Sequence, residues 1–338
     1  MRVMVTGGAG YIGGVVVAQL VEAGHDVVVY DNLSRGHRET VPAAARLVVG
    51  DVGDRSALEA AFAEHQPEAV LHFAAWIEAG ESMREPEKFF RNNTANALTL
   101  LETMLAHNVG RLVFSSTAAV YGNPEHVPIR ECDKLLPTNA YGESKLMVEQ
   151  MLAWFHRIHG FSYAALRYFN AAGATETLGE RHQPETHLIP IILQVASGQR
   201  DHISIFGDDY DTPDGSCVRD YIHVSDLASA HLLALDALHT RKQPARLIYN
   251  LGNGQGFSVK EVIDCARRVT GHIIPATVEP RRTGDPATLV ASSTKISTDL
   301  GWQPRIPELE EIVRSAWDYL QREAQAGGAP ACQTGKSQ

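Results

Sequence analysis

The chain has 338 residues, 44% hydrophobic and 21% charged, with a formal net charge of −10. That length suits two lobes better than one core, and the composition is that of a folded globular protein, neither disordered nor membrane-embedded. The acidic balance disfavours a nucleic-acid partner, no apolar run reaches the ~18 residues of a membrane span, and the cysteines show no paired or metal-like spacing, which fits a reducing cytoplasm and no structural metal.

In chain order, Val3–Thr6 reads as a first strand rather than a targeting peptide. Further strands are predicted at Asp26–Tyr30, Arg46–Val49, Ala69–Phe73, Arg111–Ser115 and Tyr163–Tyr168, with helices at 11–23, 54–65, 86–107 and 141–159 between them. Several strands are continuously apolar, as expected when both faces are buried. The alternation predicts an α/β fold, a Rossmann-type doubly wound parallel sheet. The second half is less regular. Helices are predicted near 188–198, 225–238, 258–270 and 308–323, and Leu247–Asn250 as a strand that rejoins the sheet. The expected division is a dinucleotide-binding lobe over 1–170 with a returning segment around 220–252, a smaller α/β lobe over 171–323, and a disordered tail over 324–338.

Three motifs carry chemistry. Thr6-Gly7-Gly8-Ala9-Gly10-Tyr11-Ile12-Gly13 joins a strand to a helix, the setting in which glycines let backbone approach a pyrophosphate at a helix N-terminus. Asp31, about 20 residues on and followed by Asn32, is placed to accept the ribose hydroxyls, which favours NAD over NADP. Asp51 and Val52 end the third strand, where an adenine would lie, and the small residues of Phe73-Ala74-Ala75 end the fourth. Tyr141 and Lys145, four apart, lie on one helix face, and a neighbouring ammonium favours the phenolate. Ser115, Ser116 and Thr117 end the fifth strand at the edge where ligands bind such sheets, so a hydroxyl there can hold a substrate alcohol beside Tyr141. Arg219 and Arg282 supply local positive charge suited to phosphate.

The glycine loop, the Thr117 region and Tyr141-x-x-x-Lys145 resemble the extended short-chain dehydrogenase/reductase superfamily and, within it, the UDP-glucose 4-epimerase family. The similarity is collinear from Met1 to about Tyr319. It implies a retained NAD that is reduced and reoxidised in each turnover. The cofactor would be held by Gly7, Gly10, Tyr11, Ile12, Gly13, Asp31, Asn32, Asp51, Val52, Phe73, Ala74, Ala75, Asn92, Ser115, Tyr141, Lys145 and Tyr168. Tyr141, Lys145, Thr117 and Ser116 would be catalytic. A UDP-hexose would be gripped by Asn170, His187, Leu188, Phe206, Arg219, Tyr221, Arg282 and Asp285, with Leu289 at the sugar.

The chain departs from the family pattern at Ile77, where many members have a lysine near the cofactor, and at His187, where some have an asparagine. Leu289 stands where some members have a tyrosine that blocks N-acetylated sugars, so UDP-N-acetylhexosamines stay open as substrates. So do UDP-glucuronate and UDP-pentoses. Dehydration is disfavoured, because Thr117 is followed by Ala118 and Ala119 instead of an acid pair. The Tyr–Lys pair argues against a non-catalytic NAD-binding protein. The broad apolar width of helices 86–107 and 141–159 suggests a homodimer contact.

Overall fold

The computed structural model describes residues 1–282 and 284–326. Of the tail expected over 324–338, the part from 327 onward lies outside the described residues, and 324–326 continue the last helix.

The elements run β1 (Arg2–Thr6), α1 (Tyr11–Glu22), β2 (Asp26–Asp31), β3 (Arg46–Val49), α2 (Arg55–His65), β4 (Ala69–His72), α3 (Ala79–Ser82), α4 (Pro86–Phe89), α5 (Asn96–Ala106), β5 (Arg111–Thr117), α6 (Ala140–His159) and β6 (Ser162–Tyr168). They continue as β7 (Asn170–Ala172), α7 (Leu188–Ala196), β8 (Ile203–Phe206), β9 (Val218–Arg219), β10 (Tyr221–His223), α8 (Val224–Thr240), β11 (Arg246–Leu251), β12 (Phe257–Ser258), α9 (Val259–Thr270), β13 (Ala276–Glu279), β14 (Thr288–Leu289), α10 (Thr294–Leu300) and α11 (Leu309–Ala326).

The main sheet has seven strands in the order β11-β6-β5-β4-β1-β2-β3. All neighbours are parallel. Apart from the edge strand β3, its strands are mostly buried, which is why they read as unbroken apolar runs. On one face Val16, Val17 and Leu20 of α1 pack with Leu227, Ala234 and Leu235 of α8. On the other, Phe62 of α2, Leu101 and Met104 of α5, and Val148 and Leu152 of α6 fill the second layer. A separate core forms where α7, α9 and α11 meet through Ile192, Ile263 and Ile312. Strand order reverses between β1 and β4, so a crevice opens at the carboxyl ends of those strands.

The helix predicted over 86–107 is not one α-helix. After α4 the chain widens into a π-helical turn, Phe90–Ala95, before α5 begins. The wider turn brings two adjacent asparagines to the inner side. Asn92 lines the crevice. Buried Asn93 accepts from Trp76 N–H at 2.9 Å and donates to Trp76 O at 2.9 Å and Ser144 Oγ at 3.0 Å. By contrast α6 follows the rules at both ends: Asn139 Oδ1 accepts from Gly142 N–H at 2.8 Å, and Gly160 ends the helix with φ +67°.

Candidate active site

A cavity of about 1040 Å³ lies at the carboxyl ends of the sheet and extends to α7, β8 and β9. That is the top of the ~300–1,000 Å³ range of single-ligand pockets, room enough for a dinucleotide and a second nucleotide. Every residue predicted on the cofactor side lines it except Lys145, which is buried behind the wall. Every residue predicted on the substrate side lines it except Leu289. That side chain packs instead toward the cluster of Tyr121, Phe169 and Ala291, because β14 runs parallel beside β9.

The glycines form a cradle that side chains would fill. Gly7 has φ +74°, and a Cβ there would meet Ala74 N at 2.5 Å. A Cβ on Gly13 would run into Gly7 O. The loop is held from the side by Asp31, whose carboxylate accepts from Ala9 N–H at 3.0 Å and Leu33 N–H at 2.8 Å. Burial raises the Asp31 pKa, and these two N–H groups oppose the shift. Asn32 Nδ2 donates to Asp51 Oδ2 at 2.7 Å, tying the ends of β2 and β3.

Tyr141 and Thr117 both line the cavity, facing it from the two sides of the α6–β5 seam. One turn on, Lys145 Nζ donates to Ser115 O at 2.9 Å. In this structure burial, rather than the Lys145 ammonium, dominates the Tyr141 phenol. Burial pushes Tyr141 up to about 12; the Thr117 hydroxyl opposes this and the Glu78 charge adds to it. Burial also pulls Lys145 down to about 7, and its hydrogen bond goes to a carbonyl oxygen.

Ser116 is corrected: its hydroxyl does not join this pair. It donates to Glu149 Oε1 at 2.5 Å, one turn beyond Lys145. Arg167 of β6 binds the same carboxylate through Nε at 3.0 Å and Nη2 at 2.6 Å, and reaches Tyr121 Oη at 2.8 Å. Three successive turns of α6 thus address Thr117, Ser115 and Ser116. Both charges are buried, so breaking the pair strands one of them. Arg167→Met is expected to cost about 3–5 kcal/mol in urea unfolding, and adding Glu149→Met to restore most of it. A loss below ~1 kcal/mol for the single variant would show that the brace contributes little.

On the substrate side Arg219 pairs with Asp285 at 2.5 Å, and the Arg282 guanidinium lies 3.8 Å from the Phe206 ring centroid. Tyr168 Oη meets His231 Nε2 at 2.5 Å at the floor. Between the two halves His187, predicted from the sequence, stands in a group whose other members, Glu185, His182, Glu78 and Arg35, were not assigned a role there. His187 Nδ1 is 2.8 Å from Glu185, His182 Nε2 is 3.2 Å from Glu78, and Arg35 is 3.4 Å from that same carboxylate. The signal was present in Gly179-Glu180-Arg181-His182 and Glu185-Thr186-His187, a dense titratable run with no helical period. Glu180 is half-buried, and its desolvation raises its pKa. Burial would also raise Glu78, but hydrogen bonds from His182 and backbone N–H groups prevail and lower it to about 2.

Residues 3–252 match the model of the NAD dependent epimerase/dehydratase family. A UDP-glucose 4-epimerase of Halalkalibacterium halodurans is 53% identical over 321 residues, covering 94% of this chain and 95% of that protein. A crystal structure of a UDP-glucose 4-epimerase superposes with TM-score 0.92 at 49% identity, covering 97% of this chain and 99% of that one. The Bifidobacterium longum UDP-glucose 4-epimerase, solved in complex with NAD+ and UDP, superposes with TM-score 0.90 at 38% identity, covering 95% of this chain and 98% of that one.

Proposed function

The chain belongs to the NAD dependent epimerase/dehydratase family and, within it, to the UDP-glucose 4-epimerases, and on that footing we propose that it interconverts UDP-galactose and UDP-glucose through the Tyr141–Thr117 pair. The observation that carries this reading is the position of Tyr141 and Thr117 on the wall of one cavity, between a glycine cradle and an arginine-bearing half.

The cradle of Gly7, Gly10 and Gly13, the carboxylate of Asp31 and the small side chains of Ala74 and Ala75 fit a dinucleotide. When bound, NAD supplies a hydride acceptor and a positively charged ring beside Tyr141. Thr117 orients the sugar C4 hydroxyl, and Tyr141 Oη takes its proton and later gives it back. Lys145 holds the nicotinamide ribose, and Asn92 contacts the cofactor from the π-helical turn. Asn170, Arg219 and Arg282 hold the diphosphate, with Asp285 aiming Arg219. Phe206 and Tyr221 hold the uridine, and His187 and Leu188 close the far side. Most contacts fall on the nucleotide, so the 4-keto sugar stays anchored through UDP while it turns over and accepts hydride on its other face. Ser116 is left out of the catalytic set because Glu149 engages its hydroxyl.

Residues 1–170 with the β10–β11 return form the cofactor lobe, and 171–323 the substrate lobe. Leu98 of α5 and Met147, Trp154 and Ile158 of α6 stay exposed, with Trp154 at 58% and Ile158 at 64%. Those side chains are the seam of a homodimer in this reading. We also place the enzyme in the cytoplasm, without a nucleic-acid partner; no described helix is long and apolar enough to cross a membrane.

The test is to incubate purified protein with UDP-galactose, adding no NAD, and to separate the products by chromatography. Conversion to UDP-glucose is expected. Failure with and without added NAD would reject this substrate pair and turn attention to UDP-N-acetylglucosamine, UDP-glucuronate and UDP-xylose on the same scaffold.

A further inference from the structure

Residues 173–187 leave β7, cross the cofactor side of the cavity and enter α7. Three loops of the cofactor lobe fasten this strap. At its start, Tyr11 Oη, from the glycine loop, donates to Gly173 O at 2.6 Å. Leu178 then lies over Gly14, where an added Cβ would stand 3.7 Å from Leu178 Cδ1. Arg181 reaches Glu39, beyond β2, at 3.4 Å. His182 reaches Glu78, beyond β4, at 3.2 Å.

The last fastening differs from the others. Arg181 and Glu39 are substantially exposed, at 35% and 62% of side-chain surface, whereas His182 and Glu78 are at 9% and 7%. A solvated pair contributes little, and a desolvated one is stronger and costly to break from one side. Glu78 also accepts from Arg35 Nη2 at 3.4 Å, so one carboxylate joins the loops after β2 and β4 to the strap. The Arg35 guanidinium lies 4.9 Å from the Trp76 ring centroid, and both residues line the cavity. Its Nε is buried and has no partner among the described residues. A buried donor of this kind needs an acceptor, and a bound dinucleotide brings phosphate and ribose oxygens to this wall. Two further carboxylates of the strap are already engaged. Glu180 accepts from Arg181 and His182 N–H, and Glu185 from Thr186 and His187 N–H.

We propose that His182, Glu78 and Arg35 form a latch that closes the 173–187 strap over the dinucleotide and sets the rate at which it leaves. The latch supplies from the strap and the β2 loop what Ile77 cannot supply from its own position. The inference rests on the NAD reading above.

The experiment follows NAD release from the holoenzyme as purified. An enzyme that destroys free NAD is added, and protein-bound nicotinamide is assayed over time after acid release. Glu78→Gln and His182→Gln are each expected to lose NAD about tenfold faster than wild type. The double variant should be no faster than the faster single, because both remove one contact. His182→Arg keeps a cation and should restore retention. Arg314→Ala, which breaks an exposed pair on α11, serves as control. Release at the wild-type rate from both glutamine variants would overturn the latch, and conversion of UDP-galactose by the wild type would show that the epimerase reading survives. A wild-type protein that neither carries nor needs NAD would overturn both.

Discussion

Tyr141→Phe is expected to reduce turnover of UDP-galactose by about 10²–10⁴-fold while leaving the amount of bound nicotinamide unchanged. The substitution removes one oxygen and little else. The ring keeps its edge contact with Phe89, centroids 6.5 Å apart at 73°, so α6 has no reason to move. Thr117 keeps the N–H of Ala119 at 3.1 Å, which limits the stability loss to about 1 kcal/mol. What disappears is the acceptor for the sugar hydroxyl proton. Burial holds the phenol up to about 12 before any positive ring lies beside it. Wild-type turnover should rise with pH through the titration of the phenol in the NAD-bound protein, and the phenylalanine variant should show a flat residue of activity. Single-turnover conversion at several pH values, paired with nicotinamide content, separates the two. A variant that keeps more than a tenth of wild-type turnover would remove Tyr141 from the role of base.

Lys145→Met should abolish most activity and at the same time stabilise the protein freed of NAD. The amine is fully buried, and burial pulls its pKa from 10.5 to about 7. Between those values the unfolded chain holds a proton that the folded protein does not, so wild-type stability rises with pH across the window. The whole rise is about 5 kcal/mol, 3.5 units at ~1.36 kcal/mol each. The full penalty is present below pH 7 and has vanished by 10.5. Methionine has similar volume and no proton to hold, so its stability should not follow this rise. Near pH 7 it should gain up to that amount, less ~1 kcal/mol for the lost hydrogen bond to Ser115 O. Urea unfolding of both proteins across the window gives the answer. A methionine variant that tracks the wild type at every pH would show that Lys145 is solvated and charged when folded. A protein that keeps such an amine trades stability for function at its active site.

The strands and helices of the first half were legible because they are set by patterns that tertiary contacts do not override. Apolar runs bounded by Gly and Asp gave β1 to β6 nearly to the residue, and Asn139 and Gly160 mark both ends of α6. The cofactor cradle was legible for the same reason, since only glycine tolerates the approach of Gly7 to Ala74. Side-chain direction was not. Ser115, Ser116 and Thr117 are chemically alike in sequence, and only the alternation of a strand edge against α6 sends Ser116 to Glu149. The break in the helix over 86–107 depends on Asn93 bonding across to Trp76, a contact between residues 17 apart. Pairings as short as β8 with β13, about 70 residues apart, leave almost no local trace. The strap was hidden because its Arg181 and His182 pair with loops more than 100 residues away, and no local period records that.

The sheet is also assembled out of chain order. Tyr163, Ala164, Ala165 and Leu166 of β6 receive their outer neighbour only when Arg246–Leu251 of β11 has been made. Asn250 then fixes that strand by accepting from Tyr121 Oη at 2.6 Å and donating to Ile129 O at 2.9 Å. On a ribosome the first 170 residues therefore carry an open, apolar strand edge for the time it takes to add some 80 more, which at ~5–20 residues per second is several seconds. An unpaired edge of that kind is the template on which chains aggregate. The nascent half-protein is thus a natural client for a chaperone, and a chain truncated before β11 would yield a sticky fragment in place of a free-standing cofactor module.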